Sequence, residues 1–551
     1  MQTSIPAPTE PARIIDWWRA TAGREPQRLA VIDNGEEWSF ARLDARSAEL
    51  ARGLLAQGAG KGSRVGILFP NRAEWFTAWL AITRIGGIAV TLSTFFAPPE
   101  IAYTLRHADV AWLLCAREYL GHSYDDRLTA ALPGLAGSSG KAPLALTEAP
   151  CLRGIWFDGA APAPWAAGSL DDLAASAEGC AHASTAMLGA IEETVAPADR
   201  AMLLYTSGST AAPKGVVHTQ ASIARKIEMM VQMNSIIPFE TSRDDRLLVN
   251  SPMFWVGGFL TATGAMALGA VSVFEDDHSP ATMLRALRER GVTSVTGGEG
   301  VLRSIQEAEG FNDADLVRMR PQNSAQLNFF NRFGKTQYTR VTNSLGMTET
   351  FGPHSGDQFQ LLDPEIGRTS CGFALDGTEY RIVDPETGAI LPAGEAGELR
   401  VRSLWLMDGF YKRERRDVFD ADGFYPTGDI CKLMPDGRLD FQARHGGMIK
   451  TSGANVSAEE VELTLFAHPE IVEAAVFGLP DRQRDEIVVA VVATRAGSRL
   501  DEPAVKLWVK ERLSAFKVPR RVVFRAAEDL PRTPSQKIRK PLLAEQVREE
   551  I

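Results

Sequence analysis

The chain has 551 residues, 45% of them hydrophobic, which exceeds one ordinary domain and supports a large buried core. A net charge of −10 with no basic stripe argues against a nucleic-acid partner. The five cysteines, at 115, 151, 180, 371 and 431, contain no C-x-x-C pair, which argues against a zinc site or disulfide framework and predicts a reducing, cytoplasmic setting.

The N-terminus has neither a basic nor an apolar leader segment, so no signal peptide is expected. A polar tail runs into an amphipathic start around Ile14–Trp18. Helices are expected over Leu43–Leu55, Glu74–Ile85 and Pro98–Arg106, and strands over Arg64–Phe69, Gly86–Thr91 and Ala111–Cys115. That alternation predicts a layered α/β domain with a largely parallel sheet. Residues 128–195, rich in Ala, Gly, Ser and Pro, read as connecting structure without chemistry.

Met202–Tyr205 reads as a short buried strand. It leads into Tyr205-Thr-Ser-Gly-Ser-Thr-Ala-Ala-Pro-Lys-Gly-Val216. Such a loop can turn backbone N–H groups inward around Gly208. With the hydroxyls of Thr206, Ser207, Ser209 and Thr210 and the Lys214 ammonium, it suits a polyphosphate. It is not the Gly-x-x-x-x-Gly-Lys-Ser/Thr loop, and a Gly/Ser/Thr tract alone is more often plain surface. Ile223, Ile227, Met230 and Val231 then recur at helical spacing.

Leu247–Phe274 carries no charge and is long enough to span a bilayer, but Pro252 and several glycines interrupt it. A buried strand–helix–strand segment is expected, with Leu247–Gly258 an apolar strand opening into a Gly-rich turn. Met434–Arg438 reads as a hairpin turn. Ser457-Ala-Glu-Glu460 is a capping box that starts a helix to about Ala467. Strands at Ala474–Leu479, Ile487–Thr494 and Val518–Phe524 and a helix at Glu502–Leu513 complete a small α+β domain.

Tyr205–Val216 resembles the phosphate-loop signature of the adenylate-forming superfamily: acyl-CoA synthetases, luciferases and peptide-synthetase adenylation domains. Further matching motifs follow in order: Asn343–Thr350 with its Gly-Met-Thr-Glu, Gly394–Leu399, Gly409–Tyr411, Asp422–Asp429, Gln442–Lys450 and Leu530–Lys540. Their order is far more specific than any one of them. The resemblance covers nearly the whole chain. It implies a large multi-layer α/β N-terminal domain over 1–443, a hinge at 444–447 and a small mobile α+β C-terminal lid domain over 448–551.

It also implies ATP, Mg²⁺ and coenzyme A, and a role for each matching residue. The 206–210 loop and Lys214 would hold the β- and γ-phosphates. Thr348 would bind the α-phosphate, Glu349 would hold Mg²⁺, and Gly346 would belong to the nucleotide site. Asp429 would accept hydrogen bonds from both ribose hydroxyls, and Arg444 would reach ribose or phosphate. Lys537 matches the catalytic lysine. Ser452 and Gly453 would face pantetheine. Trp255, Val256 and Gly257, with Gly258, Gly297 and Gly298, would wall the acyl pocket, and Leu345 would lie against adenine.

The chain departs from the family pattern at several points. Trp255 lies where many relatives place a nearby His, and Leu345 replaces an aromatic residue. Residues 318–330 differ from the usual Gly-Gly-Ala type stretch near adenine. Gly446 stands for an Asp or Lys at the hinge, and Gln536 for a Gly.

The activity implied is AMP-forming acyl-CoA synthesis. A carboxylate attacks ATP to give acyl-AMP and pyrophosphate, and a thiol then displaces AMP. The small side chains in the presumed pocket wall suggest a hydrophobic acid: medium or long, branched, aromatic or polycyclic. Alternatives are an acyl-AMP or amide ligase with a non-CoA acceptor, a peptide-synthetase domain, a luciferase-type oxygenase, and a nucleotide-binding pseudoenzyme. A homodimer and peripheral membrane contact stay open.

Overall fold

The structure, a computed structural model, describes residues 13–550 apart from 141, 207–212, 235–240, 298, 322–325, 327–328, 331–343, 357–369, 445–447, 482–483, 496 and 533–537, and apart from the side chains of 233, 234, 299 and 444. The expected parallel sheet is its centre. Eight strands run in the order Gly409–Phe410, Lys214–Thr219, Arg200–Thr206, Ile88–Thr91, Arg64–Leu68, Trp112–Cys115, Gly154–Phe157 and Gly168–Ser169. From Arg200–Thr206 to Gly168–Ser169 every pairing is parallel, and the other two pairings are antiparallel. Ile88–Thr91 and Trp112–Cys115 are buried at every residue. Both faces are covered, so these strands read as unbroken apolar runs rather than alternating ones.

Residues 128–195 are more than connecting structure. They supply Gly154–Phe157 and Gly168–Ser169, the far edge of that sheet. Four apolar residues inside an Ala/Gly-rich background give no local period, and only pairing with Trp112–Cys115 makes them a strand.

A five-stranded sheet orders Ser294–Val295, Arg246–Leu248, Val271–Phe274, Leu29–Asp33 and Glu36–Ser39. The uncharged segment is the expected strand–helix–strand, with the helix at Val256–Ala267. Among the described residues no helix is long and apolar enough to cross a membrane. Gly257 and Gly258 fall in the first turn of this helix, not in a loop. A Cβ on Gly258 would lie 2.2 Å from the Pro252 carbonyl oxygen, so close backbone approach demands glycine there. Phe259 of the helix meets Trp79 of helix Ala73–Arg84 edge-on, centroids 4.8 Å apart. The two helices thereby join the sheets into one core.

Six antiparallel strands form a third sheet: Ser355–Gly356, Ser370–Ala374, Arg438–Arg444, Tyr425–Leu433, Ala396–Ser403 and Thr378–Val383. The Met434 N–H donates to the Arg438 carbonyl (2.8 Å), closing the expected hairpin.

The last sheet begins at Met448 and has its own apolar clusters. It contains Met448–Thr451, Ala454–Ser457, Ile471–Asp481, Asp485–Thr494 and Arg521–Phe524, packed against helices Ala458–Phe466, Glu502–Lys510 and Lys540–Glu550. Ser457 caps its helix by accepting from the Glu460 N–H (3.3 Å). The return half of the expected capping box is absent, and the Glu460 carboxylate instead accepts from Lys517 through Oε1 (2.8 Å).

Candidate active site

A cavity of about 700 Å³ opens where the central sheet, the Thr348 turn, the antiparallel sheet and the last sheet meet. Thr206 and Lys214 both line it, and they are direct cross-strand partners. Their hairpin holds both ends of the expected phosphate loop at the cavity wall. Ser207, Gly208, Ser209 and Thr210 lie outside the described residues. The Tyr103 hydroxyl donates to the Pro213 carbonyl (3.1 Å), fixing the loop's exit. Burial, and then Arg413, hold the Lys214 pKa below its ordinary value, while Glu349 and Glu459 oppose that shift.

Thr348-Glu349-Thr350 is a single 3₁₀ turn, and Thr348 and Glu349 line the cavity. Phe351 closes the turn in the left-handed region (φ 48°). Two contacts hold it there. The Phe351 ring packs on His218 and Phe259, centroids 4.6 and 5.6 Å away. His218 Nε2 lies 2.8 Å from the Thr348 carbonyl oxygen. Burial pushes His218 down to about 4, so at neutral pH it is an uncharged imidazole donating through Nε2. The sequence carried no sign of this support.

The Glu349 backbone carbonyl accepts from the Met407 N–H (2.8 Å), and its carboxylate accepts from the Tyr425 hydroxyl (3.4 Å). No group of three or more His, Cys, Asp or Glu side chains forms a metal cage among the described residues. Two carboxylate residues, Glu349 and Glu398, line the cavity, and a lining carboxylate suits Mg²⁺, which keeps waters and shares its ligands with phosphate oxygens.

Gly346 lines the cavity and has a steric reason to be glycine. A Cβ there would lie 2.7 Å from backbone atoms of Gly352 and Pro353, its antiparallel partners. Leu345, expected against adenine, does not line the cavity. In an extended segment successive side chains alternate, so Ser344 and Gly346 reach the cavity while Leu345 packs on the cluster of Cys371, Ile382 and Leu399.

Asp429 is buried and is the cross-strand partner of Arg444, so the two expected ribose contacts are adjacent. Thr427 and Gly428 line the cavity directly beside it, but Asp429 itself does not reach the lining. The Arg444 side chain lies outside the described residues.

Trp255, Val256 and Gly257 line the cavity as expected. The Trp255 ring stands 5.4 Å from Phe254, 6.0 Å from Phe95 and 6.1 Å from Phe516 between centroids. A Cβ on Gly257 would meet nothing within 4 Å, so this glycine leaves real space. Gly297 is not part of the lining; a Cβ there would lie 2.8 Å from Val301, a matter of local packing. Gly298 lies outside the described residues.

Gly453, Ala454, Asn455, Phe516 and Lys517 of the last sheet and its neighbours also line the cavity, with Phe516 beside Trp255. Ser452 turns away from the cavity. Its N–H donates to the Arg484 carbonyl (2.9 Å), and its Oγ accepts from Arg484 Nη1 (3.2 Å). Lys537 lies outside the described residues. Its flanks, Arg532 and Ile538, pair in a β-bridge, and Arg532 binds Glu473 (2.6 Å). Phe516 and Lys517 were not singled out from the sequence. Their only signal is Ala515-Phe-Lys-Val-Pro519, a short apolar stretch around one lysine.

Residues 18–411 match the AMP-binding enzyme family, and residues 460–537 match the AMP-binding enzyme C-terminal domain. The chain is 28% identical over 544 residues to a feruloyl-CoA synthase of an Amycolatopsis species, covering 95% of this chain and 97% of that protein. It is 27% identical over 530 residues to a 2-succinylbenzoate–CoA ligase of Bacillus licheniformis, covering 95% and 98%. Its fold is shared with the amide bond synthetase McbA of Marinactinospora thermotolerans, at a TM-score of 0.75 and 23% identity, covering 96% and 99%. With the family matched along most of its length, and the Thr206–Lys214 hairpin and Thr348-Glu349 turn meeting in one cavity, the chain belongs to the AMP-binding enzymes of the adenylate-forming superfamily.

Proposed function

We propose that the chain is an ATP-dependent, AMP-forming acid–CoA ligase, that its acid is hydrophobic and bulky, in the aromatic, branched or medium-to-long range, and that coenzyme A is the acceptor. The observation that carries this is the wall of Phe254, Trp255 and Phe516 beside the open space at Gly257, in the cavity that also holds Thr206, Lys214, Thr348 and Glu349. Aromatic faces bury large apolar area with few rotatable bonds. The names of the feruloyl and succinylbenzoate relatives support an aromatic acid.

In the first half-reaction an oxygen of the acid's carboxylate attacks the α-phosphorus of ATP. The bond to the β-phosphate oxygen breaks, and pyrophosphate leaves. Lys214 and the 206–210 loop hold the β- and γ-phosphates, and Thr348 binds the α-phosphate. Glu349 holds Mg²⁺, which supplies further neutralisation of phosphate charge when bound. Asp429, buried just behind the Thr427–Gly428 lining, and its cross-strand partner Arg444 are assigned to the ribose side of the cavity, and Lys537 sets its ammonium against the charge at the α-phosphate. Catalysis is then positioning plus electrostatics, with little covalent work for the protein. In the second half-reaction the thiol sulfur attacks the acyl carbon, the bond from that carbon to the AMP phosphate oxygen breaks, AMP leaves as the phosphate anion, and the thiol proton passes to water. Gly453, with no side chain and open space beside it, gives the thiol a close approach.

We assign residues 1–443 to the body, 444–447 to the hinge and 448–551 to the lid. The end of the antiparallel sheet at Arg444 and the start of the next sheet at Met448 support these boundaries. Five free cysteines suit a cytoplasmic enzyme.

The test is ATP-dependent pyrophosphate release across a panel of acids, with and without CoA, beside a Lys537→Ala control. Release that depends on bulky apolar acids and yields acyl-CoA and AMP is expected. Equal turnover of acetate overturns the substrate class. Pyrophosphate release without acyl-CoA overturns the acceptor. ATP binding without release for any acid overturns the activity.

A further inference from the structure

Lys517 is held between two carboxylates from different parts of the molecule. Its Nζ lies 2.8 Å from Glu100 Oε1 and 2.8 Å from Glu460 Oε1. Glu100 belongs to helix Pro98–His107 beside the parallel sheet, whereas Glu460 and Lys517 belong to the last sheet's helices and turns. Ser514 Oγ donates to Glu100 Oε2 (2.7 Å), which also accepts from the Ala97 N–H (2.8 Å). All four side chains are out of water: relative exposures are 6% for Glu100, 5% for Glu460, 3% for Lys517 and 1% for Ser514. Beside them on the cavity lining, Phe516 meets Phe95 and Trp255, centroids 6.0 and 6.1 Å away.

The chemistry of this contact suits one that forms and breaks. If the two parts separate, Lys517 keeps Glu460, and Glu100 keeps the Ala97 N–H. Both halves then tolerate water, as an apolar seam of the same size does not. When the parts dock, Glu100 gains a cation and a hydroxyl together. The same docking sets Gly453, Ala454 and Asn455 on the cavity wall.

We propose that Glu100, reaching across to Ser514 and Lys517, is a positioning latch for acyl transfer. It holds the C-terminal part with its Gly453 side against the cavity and acts on the thiol step, not on adenylation. The inference rests on the reading of Gly453 as the thiol's approach.

The test is Glu100→Gln in the full-length chain, with three measurements. Acid-dependent pyrophosphate exchange, which reads adenylation, is expected within about twofold of wild type. Single-turnover transfer from preformed acyl-AMP to CoA is expected to fall tenfold or more, with Glu100→Asp recovering part of the loss. Hydrogen exchange of the ligand-free protein is expected to speed up at 448–457 and 514–518 but not in the central sheet. Equal loss in both half-reactions, or no loss in transfer, overturns the latch. If no acid supports pyrophosphate exchange, the proposed function fails separately. Hydrogen exchange then decides, and unchanged protection at 448–457 and 514–518 overturns the latch.

Discussion

Among the described residues two lysines are almost wholly buried, Lys226 and Lys517, and their surroundings are opposite. Lys226, 0% exposed on helix Gln220–Asn234, has no carboxylate within ion-pair distance among the described residues. Its ammonium donates to the Pro353 carbonyl and sits 4.4 Å from the centroid of Trp405. Burial therefore pushes its pKa well below the ordinary lysine value. Lys517 is as deeply placed, and burial also acts to lower its pKa, but Glu100 and Glu460 outweigh that and raise it. Burial pushes the Glu460 carboxyl upward as well, so the cluster is tightly bound without being free of cost. The difference follows location. Lys226 props the Gly352–Pro353 strand of the cavity wall through a neutral carbonyl. Lys517 sits at a junction, where paired charges specify one docking geometry.

Lys517→Met is expected to have the largest effect, because it leaves Glu100 and Glu460 facing each other without a cation. A loss of about 3–5 kcal/mol in urea unfolding at pH 7.5 is expected. The folded pKa of Lys517 is raised, so its contribution is complete below its ordinary value of 10.5 and is lost as pH rises through the folded value. An unchanged unfolding midpoint would break the comparison.

Glu74 repeats the Lys226 situation with the opposite charge. Burial, helped by Asp158 and Asp33, pushes it up to about 7. The folded state then holds a proton that the unfolded chain releases near 4.5, so stability falls as pH rises from about 4.5 to 7. Glu74→Gln is expected to gain about 2 kcal/mol at pH 8 and nothing at pH 4, read from paired denaturation curves.

Lys226→Met sharpens the contrast with Lys517 directly. The unfolded chain binds a proton here that the folded state disfavours, so wild-type stability rises with pH toward 10.5. Removing the amine is expected to gain about 1 kcal/mol at pH 7 after the lost hydrogen bond to Pro353, and to gain nothing near pH 11. A loss at pH 7 would show that the hydrogen bond outweighs burial.

Gly257→Ala is expected to change stability least, by under about 1 kcal/mol, because the new Cβ meets open space in a helix. It should lower kcat/KM for bulky acids more than for small ones. A uniform loss across acid sizes would mean that Gly257 does not shape the acyl pocket.

Much of the fold was legible because local pattern and tertiary demand agreed. Arg64–Leu68, Ile88–Thr91 and Trp112–Cys115 are short apolar runs between helical periods, and a buried parallel sheet requires that. The Thr206–Lys214 hairpin and the Thr348-Glu349 turn were legible as motifs, since phosphate chemistry restricts the residue types. The misreadings had local causes. Gly257-Gly258 looks like a turn by propensity, and burial against Pro252 overrides it. Leu345 looks like a site residue by its place in a motif, and the alternation of an extended segment sends it into another cluster. Ser457 and Glu460 spell a capping box, and Lys517, far along the chain, takes the carboxylate.

Sequence alone determined the strand–helix alternation of the parallel sheet and the small α+β unit near its end, because these depend on hydrophobic period, while the residues expected to meet ATP came from the resemblance of its motifs. Tertiary structure decided which residues share the cavity: that Thr427 rather than Asp429 reaches it, that His218 holds the Thr348 turn, and that Phe516 and Lys517 join the lining. Those contacts join residues distant in the chain, from Glu100 to Lys517. Their free energy comes from removing both partners from water at once, a quantity no local window of sequence contains.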